Sequence, residues 1–124
     1  MIVGIGTDVV EIFRFKKTVN DWGNHFLDKV FTENELIYAH SRKDFIQHLA
    51  ARFAAKEAVS KAISTGWSKG FKWKDVEIMN ELSGKPTVTL SGNMKELLNN
   101  GKIFISLSHS ETVVVAFVVI EKKV

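Results

Sequence analysis

A chain of 124 residues, 45% apolar and 25% charged, has the size and composition of one soluble domain, 1–124, with enough apolar surface for a real core. It contains no cysteine, which excludes disulfides, thiolate nucleophiles and cysteine-based zinc sites. No apolar run approaches the ~20 residues of a membrane span. The opening MIVGIGTDVVEI carries no basic leader and meets Asp8 and Glu11 early, so no secretory signal and no membrane contact are expected, and the location should be cytoplasmic.

The net charge of +3 is unevenly spread. Between Arg42 and Lys74 stand eight basic residues (42, 43, 52, 56, 61, 69, 72 and 74) against only Asp44 and Glu57. Such a cluster suits a polyanion: a nucleic acid, a phosphorylated small molecule or an acidic protein. A solvated basic face with no partner explains it equally well.

In chain order, Ile2–Ile12 is rich in Val and Ile and is expected to form a strand, with Gly4 and Gly6 marking a bulge or a close backbone approach. Phe13–Asn20 and Trp22–Lys29 suggest short helices. In FTENELIYAH, Thr32 followed by Glu35 predicts an N-cap with a capping box. Asp44 should open a long helix over about Phe45–Ser64, ended by Thr65-Gly66. Past the loop TGWSKGFKWKD, VEIMN and TVTLSG predict two strands joined by the turn LSGKP. Ser91 is a candidate cap for a short helix that Asn100-Gly101 stops. The last 23 residues predict two strands around SHSE, the second apolar throughout and expected to be buried on both faces. These elements define an α+β domain: a mostly antiparallel sheet packed with helices, one of them long and central.

The long helix contains an anomaly. At about 100° per residue, Ile46, Leu49, Ala50 and Phe53 share one stripe, and Glu57 and Ser60 fall within about 40° of Phe53. A charge on the shoulder of a core stripe needs a partner. Lys61 one turn on is the simple candidate. The other is Asp8, at a glycine-punctuated strand end: two converging carboxylates suit Mg²⁺, which takes its remaining ligands from water and substrate phosphate. Lys61 and Arg52 would then neutralise phosphate oxygens, and the Ser83–Pro86 turn could bring backbone N–H groups to an anion. His109 has no triad partner, there is no G-x-S-x-G elbow, and the four histidines lack zinc spacing. The dinucleotide fingerprint and the Walker A loop are both missing.

Taken together, GIGTDVVEIFRF, FTENEL, RFAAKEAVSKA, SGKP and ISLSHS closely resemble the small 4′-phosphopantetheinyl transferases, the holo-acyl-carrier-protein synthase family. The resemblance implies the 4′-phosphopantetheinyl transferase fold and transfer of phosphopantetheine from coenzyme A to a serine of apo-acyl carrier protein, releasing adenosine 3′,5′-bisphosphate. It implies Mg²⁺ on Asp8 and Glu57, and Lys61 at the diphosphate. Arg52 and His109 would lie near the 3′-phosphate, with Ser60, Gly66, Gly84, Lys85, Pro86 and Ser108 at the nucleotide. Glu57 or a metal-bound water would take the serine proton; the residues leave both open. Arg14, Lys16 and Lys17 would dock the acidic carrier protein, with Phe13 or Phe26 in apolar contact. A homotrimer with sites at subunit interfaces is implied as well. The rivals are a nucleic-acid-binding module, resting on Trp67, Phe71 and Trp73 among lysines, and a trimer that binds coenzyme A without catalysis. The first leaves Asp8 and Glu57 unexplained.

Overall fold

The computed structural model describes residues 1–63 and 70–123. Strand β1 (Ile2–Glu11) runs directly into α1 (Ile12–Trp22), followed by α2 (Asn24–Val30), α3 (Glu33–His40) and the long α4 (Phe45–Ile63). After a 3₁₀ turn at Trp73–Asp75 come β2 (Val76–Asn80), β3 (Pro86–Leu90), α5 (Gly92–Leu97), β4 (Gly101–His109) and β5 (Val113–Lys122). All pairing is antiparallel, as expected, but in two sheets rather than one: β1-β5-β4 and the hairpin β2-β3. Gly66 and the rest of residues 64–69, where the end of the long helix and part of the aromatic loop were expected, lie outside the described residues. Among the described residues no helix is long and apolar enough to cross a membrane.

Helix α4 packs on the inner face of the three-stranded sheet, chiefly on β1 and β5. Its burial is wider than one stripe: Leu49, Ala50, Ala54, Ala55, Ala58, Val59 and Ala62 are all in the core. Alanine is the side chain that permits this, because the strand comes to the helix backbone itself. A Cβ on Gly6 would collide with the carbonyl oxygen of Ala58, and one on Gly4 with that of Ala62. The two glycines are therefore docking positions, which fixes β1, and Asp8 with it, against the second half of α4.

The capping box forms as anticipated: Glu35 N–H donates to Thr32 Oγ1 (3.2 Å) and Thr32 N–H to Glu35 Oε1 (2.8 Å). Glu35 does more than cap. Lys56 Nζ reaches the same oxygen at 2.7 Å with both side chains wholly buried, while Glu35 Oε2 accepts the N–H of Ile78. Lys56 spends its other two donors on the carbonyls of Val30 and Trp73. This buried, fully satisfied pair joins α2, α3, α4 and β2. Ser91 sits at the N-cap position of α5, but no capping bond forms; its hydroxyl is 3.5 Å from Asp75 Oδ1. Strand β5 is likewise buried on one face only. Val114, Ala116, Val118 and Ile120 face α4, whereas Phe117 opposite is 47% exposed.

Candidate active site

Asp8 pairs with Ala116 on the inner face of the sheet. That alternation turns its carboxylate toward α4, while Thr7 and Val9 point outward. Lys61 Nζ donates to Asp8 Oδ1 at 2.9 Å and to the carbonyl of Thr7 at 3.2 Å. The simple pairing of Glu57 with Lys61 is thus not the one adopted: the lysine reaches across to the strand. This hydrogen bond to Asp8 holds Lys61 above the usual lysine range.

Glu57 is half-buried and makes no ion pair or side-chain hydrogen bond among the described residues. Its carboxyl is pushed up from the ordinary range, first by burial and then by the negative charge of Asp8, with Lys61 opposing. Asp8 and Glu57 line one cleft of about 300 Å³, together with Arg14 and Thr18 of α1 and the rings of Phe26 and Phe53. Its floor is an aromatic cluster: Phe15 lies 5.5 Å from Phe53 and 5.8 Å from Phe26, and Phe53 stacks on Trp73 at 5.2 Å. An unpaired carboxylate facing a second one, in a cleft open at one side, is a donor set for a hard cation that keeps exchangeable ligands. No group of three or more acidic or histidine ligands occurs among the described residues, and Mg²⁺ commonly completes its shell with water and substrate phosphate oxygens.

The other expected site residues are spread over several elements of the fold. Ser60 is buried and its hydroxyl returns to the carbonyl of Glu57 at 2.7 Å; it trims the helix and does not line the cleft. The Gly84-Lys85-Pro86 turn is exposed, with Gly84 at a φ of 91° and its N–H closed onto the carbonyl of Glu81. His109 ends β4 on the inner face, where its Nδ1 lies 3.0 Å from Gln47 Nε2 at the start of α4. Ser108, one residue earlier, necessarily points to the outer face beside Val115. Arg14 and Lys17 are exposed on α1, with Phe13 at 79% exposure beside them, whereas Phe26 belongs to the aromatic floor.

Arg52 departs most from expectation. It is 2% exposed. Its Nη2 donates to Asn80 Oδ1 at 2.7 Å, its Nη1 to the carbonyl of His48 at 3.4 Å, and its guanidinium lies 4.4 Å above the Tyr38 ring. Burial pulls its pKa down. His48 beside it is also held below the usual histidine range, by burial first and then by Arg52 and Arg42. With Lys56 neutralised by Glu35 and Arg52 buried, the basic cluster counted from sequence is smaller at the surface. Phe71 is buried in the core and Trp73 is partly buried against it, which withdraws much of the aromatic surface that a nucleic-acid interface would have used. Asn80 was missed from sequence: a lone asparagine ending a short strand carries no pattern that marks it.

A family model described as the 4′-phosphopantetheinyl transferase superfamily matches residues 4–118. A holo-(acyl-carrier-protein) synthase from Protochlamydia amoebophila is 48% identical over 119 residues, covering 96% of this chain and 98% of its own length. The Geotalea daltonii synthase is 45% identical over 125 residues, covering 98% and 100%. Among solved structures, the Neisseria meningitidis synthase superposes with a TM-score of 0.90 at 34% identity, over 98% of this chain and 100% of its own. A synthase from Bacillus anthracis in complex with CoA (3′,5′-ADP) gives 0.84 at 38%, covering 99% of each chain. The chain belongs to the 4′-phosphopantetheinyl transferase superfamily, and within it to the holo-(acyl-carrier-protein) synthase family of enzymes.

Proposed function

We propose that the chain transfers the 4′-phosphopantetheine group of coenzyme A to a serine of apo-acyl carrier protein. The serine oxygen forms a bond to the phosphorus bearing the pantetheine arm. The bond from that phosphorus to the nucleotide breaks, adenosine 3′,5′-bisphosphate leaves, and the hydroxyl proton departs to a base. The observation that carries this reading is the meeting of Asp8 and Glu57 in one cleft, the second carboxylate unpaired and raised.

The two carboxylates fit Mg²⁺: among the described residues Glu57 makes no ion pair, and the cleft leaves room for diphosphate oxygens. Bound there, Mg²⁺ would supply Lewis-acid stabilisation of charge on the transferring phosphoryl group. The chain's own residues then have distinct tasks. Asp8 and Glu57 hold the cation. Lys61 orients Asp8 through one donor, is anchored by a second on the Thr7 carbonyl, and keeps the third for a phosphate oxygen. The Gly84-Lys85-Pro86 turn and His109 flank the nucleotide end. Arg14, which lines the cleft, and the exposed Lys17 and Phe13 of the same helix present charge and apolar surface for the acidic carrier protein.

Three copies of the chain would complete the site. The outer face of β1-β5-β4 carries Ile5 (64% exposed), Val9 (60%), Phe104 (52%) and Phe117 (47%), an apolar surface on the opposite side of β1 from Asp8. Covering it with neighbouring copies gives outward-pointing Ser108 a role at a shared site. The reading is tested by incubating the protein with coenzyme A, Mg²⁺ and apo-acyl carrier protein and weighing the carrier intact. One added phosphopantetheine per carrier is expected, and none when the metal is chelated before the donor is added; an unchanged carrier mass under saturating donor refutes it.

A further inference from the structure

Arg52 is buried without being fully satisfied. Its Nε is the one buried side-chain polar atom with no hydrogen-bond partner among the described residues. A buried unpaired donor is destabilising, and such an atom in a native fold calls for a reason. The guanidinium is placed by its Nη groups and by the Tyr38 ring, and its shortest contact, 2.7 Å, is to Asn80 Oδ1.

Asn80 uses both ends of its amide. While Oδ1 accepts from Arg52, Nδ2 donates to the carbonyl of Gly84 at 2.9 Å. Asn80 is the last residue of β2 and pairs with Pro86 across the hairpin, so it sits at the root of the turn it grips. The turn has few other restraints: Gly84 N–H to the Glu81 carbonyl, Glu81 N–H to the Lys85 carbonyl, and a long 3.4 Å bond from Lys85 N–H to Ser83 Oγ. Its tip residues are exposed, and Gly84 has the positive φ of a freely deformable glycine. One amide therefore links an exposed glycine turn to a buried cation on α4, the helix that also carries Glu57 and Lys61.

We infer that Asn80 is a positioning residue for the nucleotide of coenzyme A: the relay Arg52–Asn80–Gly84 locks the Gly84-Lys85-Pro86 turn to α4, so that turn and diphosphate site are presented in one fixed relation. Arg52 acts on the ligand through Asn80 and not by touching it, in keeping with its 2% exposure. The inference rests on the proposed nucleotide site. Its content is that binding is tightened by pre-ordering a turn, a gain in donor affinity without a gain in the chemical step.

The test uses Asn80→Ala, Arg52→Lys and the double variant, each assayed for kcat and for KM toward coenzyme A, 3′-dephospho-coenzyme A and carrier protein. Lysine keeps the charge but lacks the fork that reaches Asn80. The expectation for Asn80→Ala is a KM for coenzyme A about fivefold higher, the loss of about one hydrogen bond. The same factor should appear with 3′-dephospho-coenzyme A, while kcat and the carrier KM stay within about twofold. Arg52→Lys should match it, and the double variant should be no worse than either single one. An unchanged coenzyme A KM in Asn80→Ala overturns the relay, as does a parallel loss in kcat and both KM values, which marks a merely structural residue. A loss in Arg52→Lys confined to the 3′-phosphorylated donor also overturns it, in favour of direct phosphate contact. Thermal denaturation of the native protein with coenzyme A separates the two levels. No stabilisation would remove the nucleotide-site reading itself, whereas stabilisation equal in native and Asn80→Ala proteins removes the relay alone.

Discussion

Glu57 shows how much one position can hold. Its carboxyl is raised by burial and by Asp8, so the folded chain keeps a proton at pH values where the unfolded chain has released it. The folded state then binds more protons, and stability falls as pH rises from the ordinary glutamate value, about 4.3, through the higher value of Glu57. In metal-free protein, Glu57→Gln should remove that decline: its melting temperature relative to native should rise across the window, and a constant difference would refute the assignment. With Mg²⁺ and coenzyme A the sign reverses, because the cation needs the ionised form. Transfer should then increase over the same range, and Glu57→Gln should lower kcat/KM about 100-fold or more, the scale of a lost electrostatic stabiliser. Asp8 was legible as a candidate from its glycine-punctuated strand, and Glu57 and Lys61 from residue type and position on the helix. The direction Lys61 takes was not, since i,i+4 spacing favours Glu57 equally until β1 is laid against α4.

At the level of elements, the contact between β1 and α4 is the joint on which the site depends. Gly6→Ala should cost about 3 kcal/mol, the upper end of overpacking penalties, because the clash is with the Ala58 carbonyl and no side chain can move aside. Urea denaturation measures this directly, and a loss below about 1 kcal/mol would mean the strand can lift from the helix at little cost. The Lys56–Glu35 pair is the second joint. Lys56→Met leaves a buried carboxylate unpaired and should cost about 3–5 kcal/mol, measured by urea denaturation. A single variant as stable as native would show that the pair contributes nothing to stability. Sequence revealed half of this arrangement. The Thr32–Glu35 box is local and could be recognised from four residues; the partner from α4 is 21 positions away and resembles any surface lysine of a basic helix.

For the molecule as a whole, the unanswered surface is the outer face of β1-β5-β4. Val113–Ile120 is apolar without interruption, and a strand that uniform is expected to be covered on both sides. In one chain only the α4 side is covered. Phe117→Lys should therefore keep the fold of the single chain, judged by circular dichroism, while lowering the mass seen by sedimentation and lowering transfer activity with it. A variant that sediments like native would separate this face from assembly.

The sequence by itself determined the α+β class, most elements of the described residues to within a few positions, and the short set of carboxylates, lysines and glycines proposed for the site. These are carried by local signals: period, caps, turn residues, and motifs whose spacing is their meaning. The tertiary structure alone decided which basic residues are solvent-facing, that Lys61 serves Asp8, that Ser108 and His109 lie on opposite faces, and that Arg52 answers to Asn80. Each is a pairing between residues distant in the chain, and burial, charge and hydrogen-bond geometry choose among them only once the helix and the strand meet.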